Sequence, residues 1–395
     1  MQREQKTVCA LLDQFAPQLS TVRNELHETP ELGMQEYETT KILRRILEEM
    51  GIEILPSGLE TGLIGLVRGR SGGKTVALRA DIDALPVTEV PWGGVCSKRP
   101  GMMHACGHDA HMAGLLGAAY VLQQMRDCFD GNVLLVFQPG EEPCEGAKKV
   151  IETGILQKYG TAAMFGAHVY PCMPEGTVAI REGFTMCALT NFCIRVQGRG
   201  AHAAMPHLAN DPVVAGAAVI TALQTIASRR MVATSPIILS ICCVQAGTAI
   251  NVIPDAMEIK GSIRFADESM RETIKRWVEK IAQDTADAHG CTAEVSYLLQ
   301  VPAVRNDPAL TAIATAAAEK AVGRENVKAE EMWLGSEDFS YYGAIVPSWF
   351  FFSGCATPDM NAALHSPLFH ASEQTVLNTA KLLANAALET LEREV

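Results

Sequence analysis

The sequence has little positive charge, and this limits the partners that it can attract. Its 395 residues include 33 Lys and Arg against 45 Asp and Glu, which gives a formal net charge of −12. The corresponding pI is about 5.4. Binding to nucleic acid needs a basic footprint, and no basic amphipathic stretch suggests a membrane-surface helix. We therefore expect neither nucleic acid nor membrane among the partners of this chain.

Long apolar runs and dense cysteines are also lacking. No apolar run approaches the length of a membrane span, and the first residues lack the apolar segment of a signal peptide. The 12 cysteines are spread along the chain and are too few for a disulfide scaffold. Several lie in apolar segments, such as Cys242-Cys243, where a free thiol packs as a small hydrophobic group. The sequence therefore predicts a cytoplasmic protein with reduced thiols.

Material for folded cores is abundant, since 48% of the residues are hydrophobic. Helical spacing of apolar residues in the first part of the chain alternates with short apolar strands. The helices are predicted at 7–29, 36–50 and 111–127, and the strands at 63–67, 75–79, 132–137 and 162–167. This alternation predicts an α/β fold with a mostly parallel sheet. In such sheets, ligands gather at the carboxyl ends of the strands.

The middle of the chain follows a different rhythm. Strands are predicted at 190–196, 236–245, 256–265 and 292–298, and helices at 211–230 and 268–288. The resulting βαββαβ order is typical of a ferredoxin-like unit. The α/β pattern then resumes with helix 308–322, strand 349–352 and helix 373–391. We therefore expect a discontinuous catalytic domain formed by residues 1–184 and 301–395, with a satellite domain inserted at 185–300.

Metal-capable side chains are concentrated in the segment His104-Ala-Cys-Gly-His-Asp-Ala-His111. It is predicted to be a loop that leads into a helix opened by His111. A metal and a helix N-terminus would both favour the thiolate of Cys106, so Cys106 and His108 are candidate metal ligands. A nucleophilic cysteine with a histidine base is an alternative, as is a buried free cysteine. The roles of His104 and His111 stay open between ligation, capping and packing.

A carboxylate pair, Glu141-Glu142, follows the strand predicted at 132–137. Adjacent residues in a loop can point apart, so one carboxylate can bind a metal while the other accepts a proton from water. The alternative is two solvated surface acids. His168 and His365 lie in similar loop contexts. Ligands scattered along the chain in this way are typical of a catalytic metal site, because structural sites draw on tight clusters.

Other polar residues allow a functional and a structural interpretation. Asp81 and Asp83 follow the strand predicted at 75–79 and could bind metal or orient ligands, with Asp83 the better candidate for orienting. His202, in a Gly-rich loop of the predicted satellite domain, could face an oxyanion or could be an exposed turn residue. No pattern supports a role for three other histidines, which we predict to be on the surface: His27, His289 and His370.

Taken together, these motifs resemble the M20 metallopeptidase family, and most closely its branch of aminoacylases, hippurate hydrolases and auxin-conjugate hydrolases. The matching segments run in family order over nearly the whole chain: His27-Glu-Thr-Pro-Glu-Leu-Gly33, Leu78 to Pro86, Met103 to His111, Gln138 to Pro143, Gly198 to Pro206, Asn251-Val-Ile-Pro254, Gly335-Ser-Glu-Asp-Phe339 and Leu364-His-Ser-Pro367. One departure is Phe369-His-Ala-Ser-Glu373, where the family usually has Phe-Asp-Phe-Asp-Glu.

The resemblance implies a zinc-peptidase-like catalytic domain with two divalent metal ions. The positions that match the metal ligands are Cys106, His108, Glu142, His168 and His365, with Cys106 able to bridge. Glu141 matches the general base, and Asp83 matches an aspartate that supports a ligand. Asp81 stands where other M20 branches carry a ligating His. Thiolate and imidazole ligands suit zinc, while the carboxylate also allows manganese, cobalt or nickel.

The resemblance also assigns residues of the satellite domain and beyond. His202 matches a histidine that reaches the active site of the partner subunit, which implies a homodimer formed through the satellite domain. Asn251 and Arg264 match positions that hold substrate, and Arg264 is suited to a carboxylate. Gly335 is also expected to contact substrate.

The implied reaction is hydrolysis of the amide bond of an N-acyl amino acid to a carboxylate and a free amino acid. N-acetyl-diaminopimelate deacetylation and dipeptide cleavage are alternatives on the same site. Two readings from other classes are a metal-binding module without turnover and a cysteine-nucleophile hydrolase. The second of these predicts activity that survives chelators.

Overall fold

The computed structural model describes residues 2–329 and 332–393, which form two compact units. The described residues of the larger unit lie within Met1–Thr185, Arg305–Glu331 and Glu337–Val395. The smaller unit contains Met186–Val304 and Met332–Ser336. It therefore includes residues 332–336, which the sequence had assigned to the catalytic domain. Residues 1, 330, 331, 394 and 395 of the predicted catalytic domain lie outside the described residues.

The helices of the described residues are named in chain order. They are α1 (Gln2–Glu28), α2 (Tyr37–Glu49), α3 (His108–Gln124), α4 (Gly146–Glu152), α5 (Ile155–Lys158), α6 (Pro212–Leu223), α7 (Arg271–Asp287), α8 (Thr311–Val322) and α9 (Glu373–Glu392).

The strands are named in the same way. They are β1 (Glu53–Ile54), β2 (Leu63–Arg68), β3 (Thr75–Asp81), β4 (Asn132–Gln138), β5 (Thr161–Pro174), β6 (Val178–Ala179), β7 (Gly183–Met186), β8 (Ala188–Gln197), β9 (Ala201–His202), β10 (Ile237–Ala246), β11 (Val252–Ile253), β12 (Ala256–Phe265), β13 (Thr292–Val301), β14 (Val304–Asn306), β15 (Val327–Lys328) and β16 (Ser348–Ala356).

The larger unit is built on one sheet with the strand order β1-β2-β4-β3-β5-β16-β6-β15. The central strands β4, β3, β5 and β16 run parallel. All residues of β3 are buried, and so are those of β4 after its first residue. Burial of both faces explains why these strands read as continuous apolar runs. The predicted α/β fold with a mostly parallel sheet is confirmed.

Helices cover this sheet in a way that their sequences explain. The apolar residues of α1 recur at helical spacing and are buried: Val8, Leu12, Phe15, Leu19, Val22 and Leu26. By contrast, α3 is rich in Ala, Gly and Leu and is buried on almost all sides, as expected for a helix without a polar face. It packs against α1 and α9. This position fixes the N-terminus of α3 at the carboxyl edge of the sheet.

Several local predictions were wrong. The helix predicted to open at His111 begins at His108, because Gly107 before it adopts a left-handed φ of 85° and ends the loop there. The strand predicted at 162–167 extends to Pro174, so His168 lies within it. The short helices α4 and α5 were not predicted, since each has too few turns to produce a clear apolar period.

The smaller unit has the predicted βαββαβ order, formed by β8, α6, β10, β12, α7 and β13. Its antiparallel sheet has the strand order β10-β12-β8-β13. Helices α6 and α7 pack against each other, and α7 also packs against β13. The inward and outward residues of β12 alternate strictly in burial, as expected for a sheet with one covered face.

One stretch of the smaller unit contradicts the expectation that no apolar segment reaches membrane-spanning length. By length and composition alone, Pro212–Arg230 could cross a membrane. This is weak evidence, because core helices pass the same test. The stretch contains α6, which packs against β12 and α7.

A buried ionic network ties α1 to the first turn of α3. The Arg23 Nε and His27 Nδ1 atoms each lie 2.8 Å from the same carboxylate oxygen of Asp109. The His27 Nε2 atom lies 3.1 Å from a Glu89 oxygen. His27 is 1% exposed, so the prediction that it lies on the surface was wrong. His289 is exposed as predicted, and His370 is half-buried.

The His27 network predicts a pH-dependent contribution to stability. Although burial lowers the pKa of His27, the charge of Asp109 and hydrogen bonds to Asp109 and Glu89 raise it from 6.5 to about 9. A raised folded-state pKa stabilises the fold fully below pH 6.5, and the contribution is lost as the pH rises to about 9. We expect wild-type protein to lose roughly 3 kcal/mol of its advantage over His27→Gln in this window.

The measurement is urea unfolding of metal-free wild-type and His27→Gln proteins at pH 6 and pH 9.5. Comparison of the two proteins at each pH cancels the titration of other groups. A difference in unfolding free energy that is the same at both values would contradict the assignment.

Candidate metal centre

Two of the predicted ligands are placed by the turn that precedes α3. Gly107, between Cys106 and His108, has a φ of 85°, and a Cβ atom there would lie 2.6 Å from the Val169 side chain. Glycine is therefore needed both for its conformation and for space. Cys106 and His108 are both buried. Burial raises the pKa of the Cys106 thiol to about 12, against the opposing effect of His108.

His168 brings a third ligand to this place from β5. Its Nε2 atom lies 3.4 Å from the Cys106 Sγ atom, and its Nδ1 atom is 2.7 Å from the Val169 carbonyl oxygen. A carbonyl can only accept, so Nδ1 carries the proton and Nε2 presents its lone pair. Burial lowers the pKa of His168 well below its usual range, and the nearby His111 adds to this effect. The neutral imidazole that a metal requires is therefore favoured.

Glu142 and His365 approach Cys106 from another direction. The His365 Nε2 atom lies 3.6 Å from a Glu142 carboxylate oxygen. His365 has a φ of 64°, and its N–H donates to the Ala105 carbonyl oxygen at 2.8 Å. Burial, together with the charge of Asp83, raises the pKa of Glu142 to about 7, although His108 opposes this. The loop before α3 thus also anchors the most distant predicted ligand.

The five predicted ligands form two overlapping triads. Cys106, His108 and His168 form one, and Cys106, Glu142 and His365 form the other; in each, the candidate ligand atoms lie within 4.8 Å of one another. Among the described residues, the buried His108 Nε2 and Glu142 Oε1 atoms have no hydrogen-bond partner. Orphaned buried polar atoms are costly, and a cation would satisfy both. The donor set therefore fits divalent metal ions, and Cys106 belongs to both triads.

Asp83 lies behind two of these ligands. Its Oδ1 and carbonyl oxygen lie 3.1 and 2.9 Å from the His108 Nδ1 atom. Its Oδ2 accepts the Glu142 N–H at 2.9 Å. Because the His108 Nδ1–H is directed at Asp83, Nε2 is the nitrogen that is left for a metal. This arrangement suits a residue that orients ligands.

Glu141 lies beside the triads and is close to two acids that the sequence left without a role. The ligand atoms of Glu141, Glu337 and Asp338 lie within 4.8 Å of one another. The Asp338 N–H donates to Glu141 at 3.4 Å. Burial, followed by the charges of Glu337, Asp338 and Glu142, raises the pKa of Glu141 well above its usual range. A buried carboxyl with a raised pKa is suited to accept and return a proton.

A fully buried guanidinium organises these acids. Arg79 donates to Asp81 at 2.8 Å, to Glu337 at 2.8 Å and to Asp338 at 3.0 Å. Its Nε donates to Gln138 at 2.9 Å, and Gln138 in turn donates to Asp338. Arg79 was not predicted as a site residue, although its place in Leu78-Arg-Ala-Asp81 and the acids after Gly335 were visible signals in the sequence. The pairing of Arg79 with these acids, which lie far away along the chain, could not be predicted from the sequence.

The smaller unit brings the remaining predicted residues into two places. His202 in β9 pairs with Val252 in β11, directly after Asn251, and both predicted residues are exposed. The His202 Nδ1 atom accepts the Ala204 N–H at 3.0 Å. Elsewhere in the unit, Arg264 donates to the Ser336 hydroxyl at 3.1 Å. Gly335 precedes Ser336, so Arg264 and Gly335 also lie near each other.

Comparison with known proteins places these residues in context. Residues 77–389 match the model of Peptidase family M20/M25/M40. The chain is 39% identical to an N-acetylcysteine deacetylase of Bacillus subtilis (strain 168), covering 96% of this chain and 98% of the relative. It is 37% identical to the IAA-amino acid hydrolase ILR1-like 4 of Arabidopsis thaliana, covering 94% and 85%.

A solved structure is similar throughout. The YXEP protein of Bacillus subtilis, described as a dinuclear metal binding peptidase from the M20 family, superimposes with a TM-score of 0.84. The two chains are 36% identical, with 96% of this chain and 99% of that chain covered. The likeness covers both units of the present structure.

The geometry predicts that metal protects Cys106 from alkylation. In metal-free protein the thiol is buried and its pKa is about 12, so it should react slowly with iodoacetamide at pH 8 and about tenfold faster per pH unit above that. A coordinated sulfur is shielded, so metal-loaded protein should react still more slowly. Peptide mass spectrometry gives the rate, with the exposed Cys128 as an internal control. Equal rates at Cys106 with and without metal would exclude it as a ligand.

Proposed function

The chain belongs to Peptidase family M20/M25/M40, and we propose that it is a metal-dependent amidohydrolase that cleaves N-acyl amino acids to a carboxylate and a free amino acid. The observation that carries this proposal is the pair of ligand triads that share Cys106, with Glu141 beside them. The relatives named N-acetylcysteine deacetylase and IAA-amino acid hydrolase support amide-bond hydrolysis. A site for two divalent ions is supported by the similarity to a dinuclear metal binding peptidase.

The metals would be held by Cys106, His108, Glu142, His168 and His365. When bound, they would polarise the amide carbonyl and make water a better nucleophile at neutral pH. Thiolate and imidazole donors favour zinc, while the Glu142 carboxylate also accommodates manganese, cobalt or nickel.

Glu141 would act first as the general base and then as the general acid. It removes a proton from the attacking water and delivers it to the amine nitrogen as the C–N bond breaks. Burial and the charges of Glu337 and Asp338 raise the pKa of Glu141, which makes the protonated carboxyl stable enough to act as the acid of the second step. Asp83 keeps Glu142 and His108 in place during the reaction.

We further propose that the smaller unit contributes substrate contacts and a dimer interface. Arg264 would bind the carboxylate of the substrate beside Gly335, Asn251 would hold substrate, and His202 would stabilise the oxyanion in the active site of the partner subunit. The edge strand β10 supports a homodimer, because Ile238 and Val244 are exposed on it. An unprotected apolar edge strand is otherwise an aggregation hazard.

We also propose that the enzyme is cytoplasmic. All twelve cysteines lie in the described part of the chain and carry free thiols, as expected for a reducing compartment.

Metal removal tests the proposed function directly. We expect chelation to abolish hydrolysis of N-acetyl, N-benzoyl and N-arylacetyl amino acids, and reconstitution with zinc, manganese, cobalt or nickel to restore it. Dipeptides and N-acetyl-diaminopimelate should be screened in parallel to test the alternative substrates. Full activity in protein shown to be metal-free by elemental analysis would favour a cysteine nucleophile. Tight metal binding without turnover of any substrate would favour a binding module.

Substitution of each of the two adjacent glutamates should impair a different property of the enzyme. Glu141→Gln should retain its metals and lose turnover by roughly two to four orders of magnitude, the usual contribution of general acid–base catalysis. Glu142→Gln should lose metal affinity, because the amide is a poorer ligand than the carboxylate. Metal content by elemental analysis and kcat separate the two. Exchanged phenotypes would mean that the roles are reversed.

Subunit exchange tests the shared active site. Glu141→Gln and His202→Ala proteins should each be inactive, but a mixed dimer would contain one site with an intact Glu141 from one chain and an intact His202 from its partner. Recovery of activity after exchange is the expected result. The matched control mixes each variant with itself. No recovery despite mixed dimers verified by native mass spectrometry would place His202 outside the partner's site.

A further inference from the structure

His111, whose role the sequence left open, has both ring nitrogens engaged. It lies in the first turn of α3 and is 1% exposed. Its Nδ1 atom lies 2.6 Å from Asp81 Oδ1, and its Nε2 atom lies 2.9 Å from the Val169 backbone nitrogen. A backbone N–H can only donate, so Nε2 accepts and carries no proton. Nδ1 then carries the proton and donates to Asp81, and no lone pair is left for a metal.

Both carboxylate oxygens of Asp81 also accept hydrogen bonds. While one of its oxygens accepts from His111, the other accepts from Arg79 at 2.8 Å. Asp81, His108 and His111 are close enough to hold a cation, but two of these three are already satisfied by protein hydrogen bonds. His108 alone has an orphaned nitrogen, Nε2, and it faces the triad with Cys106 and His168. The Asp81–His111 pair is therefore part of the frame of the site.

The Asp81–His111 pair connects β3 and β5 beyond the point where these two strands stop pairing with each other. Pairing between β3 and β5 ends at Arg79 and Gly166, and beyond that point the His111 ring links Asp81 at the end of β3 to Val169 in β5. The Val169 carbonyl oxygen accepts from His168 Nδ1. Val169 is thus held at its N–H by His111 and at its carbonyl by a ligand ring. The position of that ligand depends on His111.

The His111 ring also lies against both ligand imidazoles. Its centroid is 4.5 Å from that of His168, at an interplanar angle of 68°, and 5.3 Å from that of His108, at 30°. Because hydrogen bonds at Nδ1 and Nε2 fix the orientation of the His111 ring, the ring restricts the positions of the His108 and His168 rings that pack against it.

We propose that His111 is a positioning residue: as the neutral Nδ1–H tautomer bonded to Asp81 and Val169, it holds His168 and His108 in the geometry that binds metal, without itself being a ligand. This inference rests on the proposed metal-dependent function. Loss of a group that orients a metal ligand typically weakens metal affinity about ten- to a hundredfold.

Two substitutions separate the hydrogen bonds from the shape of the ring. His111→Phe keeps a ring of similar size and removes both hydrogen bonds. His111→Gln removes the ring but supplies one donor and one acceptor. Zinc and manganese affinities of both variants and of the wild type would be measured by competition with chelators at pH 7.5. We expect roughly ten- to hundredfold weaker binding for His111→Phe and recovery of most of this loss in His111→Gln.

His104→Phe is the matched control. His104 is also 1% exposed, and within the described part of the chain its ring nitrogens have no hydrogen-bond partner. Its substitution should leave metal affinity close to that of the wild type. Equal losses in His104→Phe and His111→Phe would show only that this region tolerates no change, and would overturn the proposal. The proposal would also be overturned if His111→Phe bound metal with wild-type affinity and if its cobalt-substituted form had the same absorption spectrum as the wild type.

A measurement on the unaltered protein guards against variants that do not fold. In protein loaded with ¹¹³Cd and labelled with ¹⁵N, coupling to cadmium should appear for nitrogens of His108, His168 and His365. His111 should show a protonated Nδ1, an unprotonated Nε2 and no coupling. Cadmium coupling to His111 would overturn the proposal. Wild-type protein that binds no metal would instead refute the proposed function, so the two failures are distinguishable.

Discussion

Buried negative charge at the carboxyl edge of the parallel sheet is the constraint on which the larger unit depends. Asp81, Asp83, Glu141, Glu337 and Asp338 are each buried there. Arg79 contacts three of them, and a single guanidinium does not neutralise that charge. Isolated buried carboxylates are strongly unfavourable, so they must pair, take up protons or bind cations. The Arg79 cluster provides pairing, the raised pKa of Glu141 favours proton uptake, and the ligand triads provide places for cations.

The candidate ligands could be found in the sequence because several of them lie in short motifs next to an apolar strand or at the start of a helix, as Glu142 does after β4 and His108 does at the start of α3. Parallel strands bring their carboxyl ends to one edge, so Glu142 and His168 were expected to meet even though a helical segment of the chain separates them. The βαββαβ unit was predictable for a related reason, since its strands and helices are long enough to show their own periods.

What the sequence could not predict depends on contacts between distant residues. His27 has no local pattern, and its burial is explained by Asp109 and Glu89, which lie 82 and 62 residues away. The function of His111 depends on which atoms its two nitrogens face, and neither partner lies in α3. The start of α3 at His108 follows from the left-handed conformation of Gly107, which a motif cannot reveal. Residue types were therefore predictable, and tautomers and bonding partners were not.

The two triads differ in their contact with solvent. Cys106, His108 and His168 are all buried, whereas the His365 side chain is 55% exposed and Glu142 is partly exposed. An ion held by the buried triad would have only buried ligands, whereas an ion held by the second triad would have the exposed His365 among its ligands. Exchange kinetics should therefore differ between the two positions. The inner ion would remain through changes in metal supply and the outer ion would follow them, so the fraction of enzyme with a complete centre would report how much metal is available around it.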